Sequence, residues 1–142
     1  MNKFRSKLYT LPALIAVLLF SSCASAVTIR EDLSPAEIIQ RGQEALDRNR
    51  YNAAIQYYQA LYDRNPHIID LIITAEYHIA NIHYKQKKYG QARAELNAIL
   101  EYYNSPDEEL LPQHYKKLAV IVLEKIDEKD KPRARASRRN NR

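Results

Sequence analysis

The chain has 2 glycines, no tryptophan, one methionine and one cysteine in 142 residues. So few glycines exclude an all-β domain, whose tight turns need them, and leave no glycine-rich loop to cradle a phosphate. One cysteine excludes an internal disulfide framework and a cysteine-based zinc site. No G-x-S-x-G, H-E-x-x-H or calcium-loop pattern occurs, so neither enzymatic activity nor a cofactor is expected. A basic face for nucleic acid is also missing from the middle of the chain. The formal net charge is +5, but Lys3, Arg5, Lys7 and seven basic residues between Lys129 and Arg142 stand at the two ends. With those ten and Asp130 set aside, Val27 to Glu128 holds 12 basic and 16 acidic residues. That mildly acidic body argues against a nucleic-acid partner.

The first twenty-six residues read as an address. Three positive charges precede a mostly apolar run from Leu8 to Phe20, and the small residues Ser21 to Ala26 follow. This is the order of an export signal. Thirteen helical residues span about 20 Å, short of the roughly 30 Å of hydrocarbon that a transmembrane helix crosses. Phe20-Ser21-Ser22-Cys23 resembles the lipobox of bacterial lipoproteins, with phenylalanine where leucine is usual. The resemblance implies lipidation of Cys23, and Ala24 after it lacks the aspartate associated with inner-membrane retention, which implies the outer membrane. Ala24-Ser25-Ala26 is also an A-x-A cleavage site, whose use after Ala26 would release a soluble periplasmic protein. Both alternatives place residue 27 onward outside the cytoplasm, with 27–33 as a tether.

From residue 34 to 128 the apolar spacing is helical. Ser34 caps, Pro35 fits the first helical position and Glu37 closes a capping box; the signal returns as Ser105-Pro106-Asp107-Glu108, where another helical segment is expected. The pattern also repeats. Tyr51-x-x-Ala54 recurs as Tyr89-x-x-Ala92 at an offset of 38. At the same offset Gly42 maps to Ala80 and Leu118, and Ile39 to Tyr77 and Tyr115. The spacing predicts helices over 35–49, 52–65, 68–87, 90–103 and 112–128. Gly42, Ala54, Ala80 and Ala92 are the small residues that let paired helices approach closely.

Gly42, Tyr51, Ala54, Tyr58 and Pro66, then Ala80, Tyr89, Ala92 and Leu96, resemble tetratricopeptide repeat (TPR) positions across roughly residues 34–126. Three features depart from that pattern: the period is four residues longer than the usual 34, no tryptophan opens the first helix, and Arg41 takes a usually apolar place. The resemblance implies an all-α, TPR-like α-solenoid of two helix-turn-helix repeats plus a C-terminal capping helix. The long period and the Arg64-Asn65-Pro66 ending are similar to TPR lipoproteins of the outer-membrane β-barrel assembly machinery, which have about twice as many repeats.

In such an array the first helix of each pair lines a concave groove. Ile39, Gln43, Tyr77, Asn81, Tyr84, Lys85 and Tyr115 are the residues expected there, the tyrosines either lining the groove or packing between helices. Tyrosine suits a protein or peptide partner, since it offers contact area, little rotamer entropy to lose and one hydroxyl. The lysines of a carboxylate clamp are absent, although Asn81 sits suitably for one. Glu76, His78 and His83 are the nearest approach to a metal set; the two histidines are rotated about 140° apart on one helix, and Glu76 stands roughly 10 Å from His83, so no metal is expected. The sequence thus reads as a cell-envelope adaptor lipoprotein, an accessory of outer-membrane protein assembly in its most specific form. The alternative is a soluble structural or peptidoglycan-associated protein of the periplasm. Two and a half repeats leave an end that a partner or a second copy would cover. Residues 129–142 are expected to be a disordered basic tail able to touch an anionic surface.

Overall fold

The computed structural model describes residues 26–140, with the backbone alone from 132 onward. The leader and the lipidation expected at Cys23 lie outside the described residues. Helices α1 (Pro35–Asp47), α2 (Tyr51–Arg64), α3 (Ile69–Lys85), α4 (Tyr89–Tyr102) and α5 (Gln113–Asn140) follow one another, with a 3₁₀ turn at Glu108–Leu110 before the last. Each helix packs on its neighbours in sequence, and α3 also packs on α5. The described chain is a TPR-like α-solenoid of two helical hairpins closed by a fifth helix.

Local chemistry sets the boundaries. Ser34 accepts from the Glu37 amide while the Glu37 carboxylate accepts from the Ser34 amide at 2.9 Å, so the capping box closes in both directions. The Ser34 hydroxyl also donates to that carboxylate at 2.7 Å, and this bond, with the one from the Ser34 amide, holds the Glu37 carboxyl below the usual carboxylate range. The hairpin turns repeat in detail. Asn49 (φ 56°) and Lys87 (φ 63°) both take the left-handed conformation. Arg50 then donates to Ala45 O and Lys88 to His83 O, at 2.8 and 2.9 Å. Both are Schellman turns, which wrap the last carbonyls of a helix.

The small residues mark close crossings. Ala54, Ala80 and Ala92 have no exposed surface. A Cβ built on Gly42 would stand 2.8 Å from Tyr58 Cζ, so the aromatic ring occupies the room the glycine leaves. The core divides in two. Ile38, Leu46, Tyr58, Leu61, Ala75 and Ile82 fill the first cluster. Ile73, Tyr77, Leu96, Ile99, Val122 and Ile126 lead the second. Helix α3 supplies both, so it joins the repeats.

Four expectations are corrected. The second Ser-Pro-x-Glu signal, at 105–108, yields only the 3₁₀ turn: the Gln113 amide donates to the Glu108 and Leu111 carbonyls and Glu108 pairs with Lys116. The third repeat unit is displaced from the offset of 38. Leu111, Tyr115, Ala119 and Val122 pack towards α3 and α4 as Leu71, Ala75, Ile79 and Ile82 pack towards the first hairpin. Leu118 is therefore 37% exposed, where fully buried Ala80 was its expected counterpart. The longer, turn-containing connection before α5 is the cause. The tether at 27–33 is docked along α2: Val27 N–H donates to Gln56 Oε1 at 2.8 Å, and Arg64 donates to the carbonyls of Arg30 and Ile29 at 2.9 and 3.2 Å. Finally, the described helix runs to Asn140, past the expected helix end at residue 128. Arg93 of α4 donates to Asp127 at 2.6 Å and to Asp130 at 2.9 Å, which carries order past the expected end.

Candidate protein-binding face

The first helices of the hairpins, α1 and α3, and the closing helix α5 carry the residues expected in the groove. On α3, Tyr77, Asn81 and Lys85 stand four apart and so form one stripe. They differ in depth. Tyr77 is 6% exposed and belongs to the core, Asn81 is half-buried and Lys85 is exposed. On α1, Ile39 is half-buried and Gln43 is exposed, its amide donating to Asp47 at 2.9 Å. Tyr84 turns away from this stripe and packs on Tyr89 of α4, ring centroids 5.8 Å apart. Tyr115 of α5 is half-buried against Tyr77 at 5.1 Å. Ile39, Gln43, Asn81, Lys85 and Tyr115 therefore retain free surface. Tyr77 supports them from beneath, and Tyr84 closes the second hairpin.

Beneath the stripe lies an aromatic cluster centred on a residue that periodicity alone did not single out for this place. His78 stacks on Tyr58 at 4.5 Å and 9° between planes, crossing from α3 to α2. Tyr77 and Tyr115 meet its edge at 5.6 and 6.2 Å, and His114 lies on Tyr115 at 4.0 Å. Burial pushes His78 down to about 4, with the nearby His114 adding to the effect. Burial likewise raises the Tyr58 and Tyr77 hydroxyls above the ordinary tyrosine range. The imidazole is neutral at physiological pH and serves as a flat packing plate. An alternation of aromatic and histidine at 77–78 and 114–115 was the available signal, but it does not reveal which rings meet.

His83 and Glu76, weighed with His78 as the nearest approach to a metal set, are also engaged. His83 Nδ1 lies 2.7 Å from Glu95 Oε2, and Gln91 donates to the other Glu95 oxygen at 3.0 Å, a polar clasp between α3 and α4. Glu76 accepts from the Tyr102 hydroxyl at 3.3 Å, and burial raises its carboxyl above the usual range. Among the described residues no three His, Cys, Asp or Glu side chains converge on a metal-sized space. Nor is any described helix long and apolar enough to cross a membrane.

Antiparallel helix pairs stacked at a fixed interval, with small residues at each crossing, define the class of helical-hairpin solenoids that work by holding other proteins. Residues 45–110 match the sequence model of the tetratricopeptide repeat. TPR proteins are typically non-enzymatic scaffolds that bind protein partners. An uncharacterized protein of Treponema pallidum (strain Nichols) is 34% identical over 117 residues, which make up 80% of this chain and 47% of the relative. The chain thus spans about half the length of that relative. No solved structure matches.

Proposed function

We propose that this protein is a cell-envelope adaptor lipoprotein that binds a segment of another protein on the side formed by α1, α3 and α5. One observation carries the reading: on α1, α3 and α5, half-buried Ile39, Asn81 and Tyr115 and exposed Gln43 and Lys85 keep free surface, and Tyr115 packs on the aromatic cluster of Tyr77, His78 and Tyr58. Apolar contact area with flanking polar groups is the usual composition of a peptide-binding surface. The lipidated form rests on Cys23 in its lipobox-like setting. In that form only Ala24, Ser25 and Ala26 separate the anchor from docked Val27. Four residue steps reach at most about 14 Å, so the domain rides against its membrane.

The most specific version, an accessory of outer-membrane protein assembly on the periplasmic side, rests on the long repeat period and the Arg64-Asn65-Pro66 ending. The Ala24-Ser25-Ala26 site favours the second reading, a soluble periplasmic structural or peptidoglycan-associated protein. Mass spectrometry of the mature N-terminus separates the two, as triacylated Cys23 or free Val27. Binding is tested by affinity purification of the chain from membranes beside Asn81→Ala, Lys85→Ala and Tyr115→Ala variants. A partner recovered with the parent and reduced with these three, but not with Gln59→Ala on α2, supports the groove. Equal recovery from all variants removes it.

A further inference from the structure

The solenoid is electrically polarised along its helix axes. Consecutive helices are joined as hairpins, so the α1–α2 and α3–α4 turns lie at one end and the α2–α3 and α4–α5 connections at the other. The turns at the first end, 47–50 and 85–88, hold Arg48, Arg50, Lys85, Lys87 and Lys88 against one acid, Asp47. All five basic residues are exposed, and among the described residues none forms an ion pair. The opposite end, 63–70 and 101–112, holds six acids against Arg64.

A further feature shares the basic end. Arg93, in the second turn of α4, fixes Asp127 and Asp130 at that level. The ten residues of α5 beyond Asp130 therefore project about 15 Å past it, and their sequence adds Lys131, Arg133, Arg135, Arg138 and Arg139. Val27 lies nearer this end than the residues after it: it is tied to Gln56 in the first half of α2, while Ile29 and Arg30 are tied to Arg64 at its far end.

We propose that the Arg48/Arg50 and Lys87/Lys88 turns dock on the anionic phospholipid headgroups of a bilayer, with the helical tail of α5 beside them and the acidic end pointing away. Three basic features converge on one end, and a bilayer is the partner broad enough to meet all of them. Lysine and arginine gain from an anionic surface only within about 8 Å at physiological salt, which placement at the turns satisfies. The proposal needs no lipid on Cys23; it fixes which end faces the membrane, whatever the groove binds.

The test is flotation of the full chain with vesicles of phosphatidylcholine alone or with about one third phosphatidylglycerol, at low and high salt. The leader, with Lys3, Arg5 and Lys7, is the same in every variant, so the readout is the change in the anionic increment between the parent and each variant. Each basic residue near the surface multiplies partitioning by about fivefold, so Lys87→Glu with Lys88→Glu should lower the increment at least about tenfold. Arg41→Glu with Lys117→Glu makes the same charge change on the sides of the solenoid and should lower it much less. Equal losses from the two pairs would reduce the effect to net charge and overturn the proposal. So would an absent anionic increment, or one abolished by deleting 132–142 and untouched by the turn substitutions. Circular dichroism of each variant confirms the fold, and loss of groove binding leaves this result unaffected.

Discussion

The Tyr58 ring lies in the space that a side chain on Gly42 would fill, 2.8 Å from where the Cβ would stand. The second hairpin solves the same crossing with Ala80 and Leu96, one residue larger and the other smaller, both fully buried. The crossing is conserved as a summed volume, divided differently in the two repeats.

Gly42→Ala should therefore destabilise the domain. Overpacking a filled core costs about 1–3 kcal/mol, while alanine returns about 1 kcal/mol of helix propensity, leaving a net loss of about 1 kcal/mol. In a Tyr58→Leu background the same substitution should become neutral or stabilising, because the pair then copies Ala80 and Leu96. A double-mutant cycle by urea denaturation reads the coupling; strict additivity would show that the ring is not the obstacle.

Stability should fall as the pH drops from 6.5 towards 4. The unfolded His78 takes up a proton near its ordinary value, whereas the folded one, buried against Tyr58, resists until about 4. The unfolded state then binds more protons within that window, so acid favours it, by on the order of 3 kcal/mol at the limit. Glu37, with its lowered carboxyl, loses stability in the same direction below its ordinary range. Buried Glu76 has a raised carboxyl and opposes His78 in the window just above the ordinary carboxylate range. His78→Phe keeps a ring on Tyr58 and should flatten the slope of the urea midpoint between pH 6.5 and 5.

Lys87→Gly should stabilise the second hairpin. A non-glycine residue in the left-handed conformation costs about 1–2 kcal/mol, and Lys87 has φ 63°. Glycine relieves that but costs about 0.5–1 kcal/mol of unfolded-state entropy, for a net gain of about 0.5–1 kcal/mol. Lys87→Ala, which keeps a Cβ, should show no such gain in thermal denaturation.

Order at the end of α5 should depend on Arg93. Its guanidinium holds Asp127 and Asp130, and those partners raise it above its ordinary range. Arg93→Ala should speed amide exchange from Asp127 onward while leaving protection in α1 to α3 unchanged. An unaltered exchange rate in the tail would show that intrinsic helix propensity suffices.

The boundaries of α1 to α4 were legible to within a few residues because apolar spacing, the capping box at Ser34 and the small residues at each crossing are local signals. The Schellman turns after α1 and α3 were not legible, since neither Asn49 nor Lys87 is the glycine that marks one. The docked segment before Ser34 was not, since its ties to Gln56 and Arg64 join residues about thirty apart. The groove was legible in part. Helical spacing placed Tyr77, Asn81 and Lys85 on one stripe, but it carries no depth, and only packing showed Tyr77 buried and Tyr84 turned to Tyr89.

The sequence by itself determined that the chain forms stacked helical hairpins, because apolar period, capping and crossing residues act over a few positions each. Tertiary structure decided the register of the last helix, the burial of each tyrosine and the gathering of basic turns at one end. Those depend on connection length and on which helix faces reach each other, and contacts between distant residues set both.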